Sequence, residues 1–307
     1  MAAAIQATTA SERVIRQELT RRFRALLSGS QTGVPDWTPL VAAGDDARRL
    51  GPHDEPWIVH SDLATLIGGI RALLVQALHP GSLAGVVQHS RYEEDVLGRL
   101  NGTIRWLTIA TFGSTTAVEA ESARVRALHE RVRGNYQTSS GEDRSYRASD
   151  NDLLTWVHIA FTDSFLAAHR LYGRRAVDAD RYIAQWAGAV EPLGLSRAPG
   201  SEADLRSAMA SFEDELRVDA STKKVIAFIK RVPFPRGAMP VYWLLFHAAV
   251  DSLPAEYRAM LGLRTVPSWV IRPIARALIR VMRWIVGPRS PMENVALERR
   301  LRAGARD

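Results

Sequence analysis

The chain of 307 residues contains no cysteine. Disulfide bonds, thiolate nucleophiles and cysteine-ligated zinc or iron–sulfur sites are therefore excluded. Any metal has to be held by histidine, by oxygen ligands or by a cofactor. A chain without disulfides also fits a reducing compartment, and we expect the protein to be cytoplasmic.

Long apolar runs are lacking as well. The most apolar run, residues 63–78, is interrupted by Arg71 and Gln76. This composition predicts a buried helix rather than a membrane span. Residues 1–20 lack a basic segment followed by an apolar one, so no signal peptide is expected.

The net charge of +7 comes mostly from arginines that are spread along many segments. No basic run is interleaved with aromatic residues in the way that binds single-stranded nucleic acid. The sequence therefore predicts no nucleic-acid partner.

Common catalytic motifs are missing too. The sequence has no G-x-S-x-G elbow, no phosphate-binding loop, no dinucleotide-binding glycine pattern and no H-E-x-x-H zinc motif. These absences leave a pocket lined by helices, centred on His129 or His158, as the candidate site.

Helical periodicity runs through the whole chain, and no alternating run is strong enough to predict a sheet. We predict an all-α protein, a single globular domain of about ten to twelve packed helices. Residues 1–60 are expected to hold an N-terminal helix at 11–28 and a surface loop. Residues 61–265 form the helical core, and residues 266–307 form basic amphipathic helices packed on the same domain.

The first core helix is expected to begin at Ser61 and to end near His79, before Pro80. Its Gly68 and Gly69 lower helix propensity. Such a pair is understandable where another helix or a flat ligand approaches closely.

Residues 115–134 are predicted to form one helix. Thr116 followed by Glu119 matches a capping box, and Gly134 is a typical C-terminal stop.

His129 lies at the edge of this helix's apolar stripe, with Arg126 and Arg133 on the polar side. An imidazole at an apolar boundary between cations could face a metal in an apolar, anion-bearing cofactor, and haem fits that description. A core histidine beside two solvated arginines is the alternative, and the spacing alone favours it.

A second candidate face belongs to the helix predicted at residues 96–112. Arg99, Gly102, Thr103 and Trp106 share this face. A cation, a hydroxyl and an aromatic ring suit a cofactor or oxyanion pocket, but the face could also be a packed core face.

His158 lies inside the apolar face of the helix predicted at residues 149–172, beside Leu154, Phe161 and Phe165. It is either a second ligand candidate or a buried histidine that is hydrogen-bonded to a neighbour.

Residues 268–286 combine four arginines with Trp269 and Trp284 near the ends. Such a helix can make weak contact with an anionic membrane surface, although it more often packs on its own domain. Exposed apolar patches could equally mark the interface of a homo-oligomer.

Three stretches between residues 72 and 173 resemble the catalytic domain of the bacterial rubber oxygenases, which is shared by latex-clearing proteins and the mycophenolic-acid-pathway oxygenase. They are LLVQALHPGSLAGVVQHSRYEEDVLGRL, RVRALHERVRG and LLTWVHIAFTDSFLAAHRLYG.

This resemblance implies an all-helical fold that holds haem b. It assigns the proximal iron ligand to His129, followed by Arg133, and the distal side to Arg99 and Thr103, which could orient dioxygen or water. The rubber enzymes carry a lysine at the position of Gly102, and a glycine cannot ligate iron.

The expected cofactor-binding residues are His129, Arg126, Arg133, Trp106 and His158. We expect an oxygenase that oxidises or cleaves an apolar, isoprenoid-like substrate with dioxygen. The alternative is a non-catalytic helical protein that binds a lipid or another apolar ligand.

Overall fold

The computed structural model describes residues 34–44, 49–89 and 96–304, and the single residues 18, 20, 21 and 25. The side chains of residues 96–100 and 304 are not among those described. The N-terminal helix predicted at 11–28 therefore lies outside the described residues, apart from those four positions.

The described residues form fourteen α-helices and one small hairpin, and 70% of these residues are helical. The elements are α1 Thr38–Ala42, α2 Glu55–Ser61, α3 Thr65–Gln76, α4 Pro80–His89, α5 Val96–Phe112, α6 Thr115–His129, β1 Arg133–Gln137, β2 Asp143–Arg147, α7 Asn151–Tyr172, α8 Ala179–Val190, α9 Glu202–Ser211, α10 Ala220–Lys230, α11 Met239–Ser252, α12 Ala255–Met260, α13 Ser268–Val286 and α14 Pro291–Gly304. The prediction of an all-α single domain is confirmed, with more helices than predicted.

Helix α7 lies at the centre of the main core. It packs most extensively on α3 and also contacts α4, α8, α9, α11 and α13. Trp156 and Ile159 of α7 are fully buried, because the apolar residues of this helix recur on more than one side. Gly173 ends the helix, and its N–H donates to the His169 carbonyl over 2.7 Å.

The segment predicted as one helix from Ser61 is bent. Ser61 is the last residue of α2, and α3 begins only at Thr65, at 95° to α2. Asp62 causes the break: its backbone is extended, and its carboxylate accepts from the Ala64 N–H over 2.8 Å. The same carboxylate binds Arg283 at 2.5 Å, which ties the bend to α13.

Among the helices that the structure describes, none is long and apolar enough to cross a membrane by itself. Helices α2 and α3 together reach that length and hydropathy, across their bend.

The two glycines of α3 face different surroundings. A Cβ on Gly68 would lie 2.7 Å from Cδ1 and 3.1 Å from Cα of Phe165, whereas a Cβ on Gly69 would meet no described atom within 4 Å. The close approach expected from the sequence is therefore made by α7 at Gly68, and Gly69 borders open space.

We expect Gly68→Ala to destabilise the protein by about 2 kcal/mol, because the methyl group overlaps the backbone of α7. Gly69→Ala is the matched control: the two residues are adjacent in one helix, and the added methyl group has room. We expect it to be neutral or to stabilise by up to about 1 kcal/mol through helix propensity. Urea unfolding of both variants measures the difference, and equal stabilities would contradict the asymmetry.

The helix predicted at 115–134 is shorter than expected. Helix α6 ends at His129, and Ser114 rather than Thr116 caps its start, accepting from the Ala117 N–H over 3.3 Å. Arg133 and Gly134 already belong to β1, which pairs antiparallel with β2. A Cβ on Gly134 would lie 2.1 Å from Oε1 of Gln88 in α4, so this glycine permits close packing rather than ending a helix.

Helices α13 and α14 pack on the same domain as the core. Helix α13 contacts α11 and α7, and Arg272 binds Asp251 of α11 at 2.7 Å. Helix α14 contacts α1 and α5, and Arg299 donates to the carbonyls of Val41 and Phe112.

Candidate functional site

His158 is buried in α7 without a polar partner. Its side chain is 6% exposed, and neither ring nitrogen has a hydrogen-bond partner among the described residues. Burial lowers the pKa of His158 to about 4, so the ring is neutral near pH 7. Because buried polar groups are usually hydrogen-bonded, both ring nitrogens of His158 are available to a partner that the described residues do not supply.

His129 is the last residue of α6 and is half-buried. Its ring makes no hydrogen bond to any residue that the structure describes. Burial lowers its pKa although Glu130 acts in the opposite direction, so this imidazole is neutral too. The predicted apolar stripe does not continue to the helix end, since Leu128 is 46% exposed. The end of α6 therefore projects from the core.

Arg126 and Arg133 are exposed, and each donates to a backbone carbonyl group. Because α6 ends at His129 and Arg133 lies in β1, the helical spacing that was predicted to bring Arg133 beside His129 does not hold. Arg126 donates to the Pro192 carbonyl, and Nε of Arg133 donates to the Glu130 carbonyl over 3.1 Å. Neither forms an ion pair with a described carboxylate, so the remaining N–H groups of both guanidinium groups are free to meet an anion.

The face of α5 that was predicted to be distal is only half-buried. Every side chain of residues 101–108 is half-buried, so this part of α5 borders space on several sides. Thr103 is one of these residues, and a Cβ on Gly102 would meet no described atom within 4 Å. The side chain of Arg99 lies outside the described residues. Nε1 of Trp106 is buried and has no partner in the described part of the chain.

A histidine that the sequence reasoning missed connects several helices. Nδ1 of His60 lies 2.9 Å from the Thr111 hydroxyl, and Nε2 lies 3.0 Å from the Tyr182 hydroxyl. Since Thr111 donates its own proton to the Leu107 carbonyl, it accepts from Nδ1–H, and Tyr182 donates to Nε2. Burial, assisted by His169, lowers the pKa of His60 to about 3 and keeps it in this neutral form.

The His60 ring joins the predicted faces of α5 and α7. Its centroid lies 4.4 Å from that of Trp186, which in turn lies 5.7 Å from that of Trp106. On the other side it lies 5.2 Å from Phe165, which shares a face of α7 with His158 two turns away. A chain of ring contacts thus links Trp106 of α5 to Phe165 of α7 through Trp186 and His60. The only local signal for His60 was a histidine at the end of the apolar run PWIV.

An ion cluster fixes α6 against α5. The buried carboxylate of Glu121 accepts from Arg105 of α5 at 2.7 Å and from Arg124 at 2.5 Å. Burial raises the pKa of Glu121, but hydrogen bonds and charge from the two arginines outweigh this effect and hold the pKa below its usual value. This cluster orients the helix that ends at His129.

Residues 57–284 match the family described as "ER-bound oxygenase mpaB/B'/Rubber oxygenase, catalytic domain". The chain belongs to this family. The match runs from α2 almost to the end of α13 and thus covers more of the chain than the stretches that carried the resemblance. No curated protein and no solved structure matches the chain.

Membership of this oxygenase family supports an oxygenase role and a small-molecule substrate used with dioxygen. Within the described residues, no group of three or more histidine, aspartate and glutamate side chains could hold a metal ion. Half-buried apolar side chains of four helices pack against the core: Leu66, Leu73, Val87, Leu107 and Phe161.

Proposed function

We propose that this member of the oxygenase family binds haem b through His129 and oxidises an apolar small molecule with dioxygen. The observation that carries the proposal is that His158 is a buried neutral imidazole with two unpaired nitrogens, while His129 is a half-buried imidazole whose pKa is lowered by burial. A metal ligand has to be a neutral imidazole with a free lone pair. Because porphyrin supplies four nitrogen ligands of its own, one histidine from the protein is enough to hold the iron.

The residues around His129 fit the chemistry of haem. Arg126 and Arg133 each use one N–H on a backbone carbonyl and keep others for an anionic carboxylate such as a propionate. Held by His129, haem b would supply an iron able to activate dioxygen.

The remaining predicted residues orient and shield the reactants. Thr103 offers a hydroxyl beside Gly102, whose missing side chain leaves open space on α5. The N–H of Trp106 and the ring of His158 offer hydrogen bonds inside the protein. Half-buried apolar side chains of the surrounding helices exclude water and favour an apolar substrate.

The test is a pyridine haemochrome assay and an absorption spectrum of the full chain, expressed with added haem precursor. We expect a b-type signal near one haem per chain, and dioxygen uptake when an unsaturated apolar substrate is added. Protein that stays free of haem even after reconstitution would overturn the proposal. If this haem-free protein carried a lipid that mass spectrometry detects, the function would instead be non-catalytic lipid binding.

A further inference from the structure

Helix α13 carries an unusual concentration of exposed apolar side chains. Of the ten large hydrophobic residues that are exposed in the described part of the chain, four lie on this helix. We call them the α13 apolar face: Trp269 (81% exposed), Ile274, Val281 and Trp284 (61% exposed). Single exposed hydrophobic residues are ordinary, but a continuous set on one helix marks an interaction surface.

This face lies opposite the side that packs on the protein. The buried residues of α13 are Ile271, Ala275, Ile279 and Met282. At about 100° per residue, they point to one side, the α13 apolar face points broadly to the other, and the arginines lie along one flank between them. Packing on the domain therefore explains one apolar side of α13, and the second has no large apolar partner among residues 34–44, 49–89 and 96–304.

The surroundings of α13 are strongly basic. Residues 257–292 contain no aspartate or glutamate and seven arginines, at 258, 264, 272, 276, 280, 283 and 289. Arg272 and Arg283 bind the buried carboxylates of Asp251 and Asp62. By contrast, the side chains of Arg264, Arg280 and Arg289 make no hydrogen bond or ion pair with any described residue. Three positive charges near the helix thus have no counter-ion in the part of the chain that the structure describes.

A pocket beside the arginine flank of α13 offers further donors. Its volume is about 410 Å³, and it is lined by residues 171–174 and by Arg276, Arg280 and Arg283. The Tyr172 hydroxyl and Nε of Arg283 are buried and lack a hydrogen-bond partner among the described residues. Such a set of donors suits an anionic group of phosphate size.

We propose that α13 docks on an anionic lipid bilayer, with its apolar face among the upper acyl chains and a lipid phosphate at the arginine pocket. Trp269 and Trp284 stand about 22 Å apart along the helix, at both ends of the buried segment, where tryptophan suits the headgroup boundary. The unpaired arginines supply attraction to anionic headgroups.

Two other occupants fit less well. A second copy of the chain would meet this surface about a two-fold axis, and the unpaired arginines of the two copies would repel each other. A nucleic acid would satisfy the arginines, but it would leave Ile274 and Val281 facing a polyanion. A bilayer with anionic headgroups satisfies both kinds of side chain.

The test is cosedimentation of the full chain with phosphatidylcholine vesicles that do or do not contain phosphatidylglycerol, at low ionic strength. We expect binding to the anionic vesicles and little binding to phosphatidylcholine alone. We expect the double variant Trp269→Ser/Trp284→Ser to have a vesicle partition coefficient at least tenfold lower than the wild type. Burial of one large apolar side chain already accounts for about this factor. Arg280→Gln should weaken it by about fivefold.

Matched controls separate this surface from the rest of the protein. Trp243→Ser removes an exposed tryptophan of α11, and Arg181→Gln removes an exposed arginine of α8; both should leave binding unchanged. The proposal is overturned if anionic vesicles do not bind the wild-type chain, or if the controls weaken binding as much as the α13 variants. A dimer that the paired tryptophan substitutions dissociate, without vesicle binding, would assign the face to a second copy. None of these readouts depends on haem.

Discussion

His129→Ala protein is expected to bind haem at least 100-fold more weakly than the wild type, because the substitution removes the proposed iron ligand. Loss of a residue that only supports a metal ligand already costs about 10- to 100-fold in affinity. The side chain is half-buried at the end of α6, so its removal should cost little stability. Haem titration followed at the Soret band measures the affinity, and circular dichroism verifies the fold.

His158→Ala is the matched control for this prediction. It removes the other neutral imidazole without a described partner, and we expect haem to remain bound with a shifted Soret band. Added imidazole should replace the missing ligand in His129→Ala and restore its Soret band. His158→Ala should bind haem without added imidazole. If His158→Ala lost haem while His129→Ala kept it with an unchanged spectrum, the ligand assignment would pass to His158.

Much of the helical fold could be predicted because the relevant signals are local. Helix α7 was expected within residues 149–172 and is observed at Asn151–Tyr172, ending before Gly173. Apolar periodicity and an adjacent glycine were sufficient there. The start of α9 is equally local in origin, since Ser201 caps the helix by accepting from the N–H of Asp204, three residues later.

The errors concern features set by distant residues. Gly134 looked like a helix stop, but its role depends on Gln88 in another helix. Likewise, Asp163 binds the buried Arg71 at 2.6 Å, although the two residues are 92 positions apart in the chain. Local spacing carries no information about such pairs, because it does not specify which helices become neighbours.

The candidate site shows the same division. His129, His158 and Trp106 were singled out from residue type and helical position. The residues around them could not be predicted in this way. His60, for example, is hydrogen-bonded to Thr111 and Tyr182, which are 51 and 122 positions away in the chain. Arg105 was also missed, because its role becomes visible only when α5 and α6 pack side by side and bring Glu121 to it.

Glu121→Gln is expected to lower the free energy of unfolding by about 3 kcal/mol near pH 7. The substitution removes a buried charge and leaves Arg105 and Arg124 without their counter-ion, and breaking a buried ion pair costs about 3–5 kcal/mol. The partly exposed pair of Glu202 and Arg170 provides the comparison: Glu202→Gln should cost at most about 1 kcal/mol. Urea unfolding of the two variants gives both values.

The pH dependence of this difference follows from the pKa of Glu121, which is lower in the folded protein than its ordinary value of 4.5. A depressed pKa contributes stability that is fully present above the unfolded-state pKa and is lost as the pH falls through the folded-state pKa. The stability gap between the wild type and Glu121→Gln should therefore narrow on acidification below pH 4.5. If Glu121→Gln lowered the free energy of unfolding no more than Glu202→Gln does, the cluster would not hold α6 against α5. The same conclusion would follow if the stability difference between the wild type and Glu121→Gln grew in acid. In that case the orientation of His129 would have to depend on the contact between α6 and the turn at Glu191–Leu193.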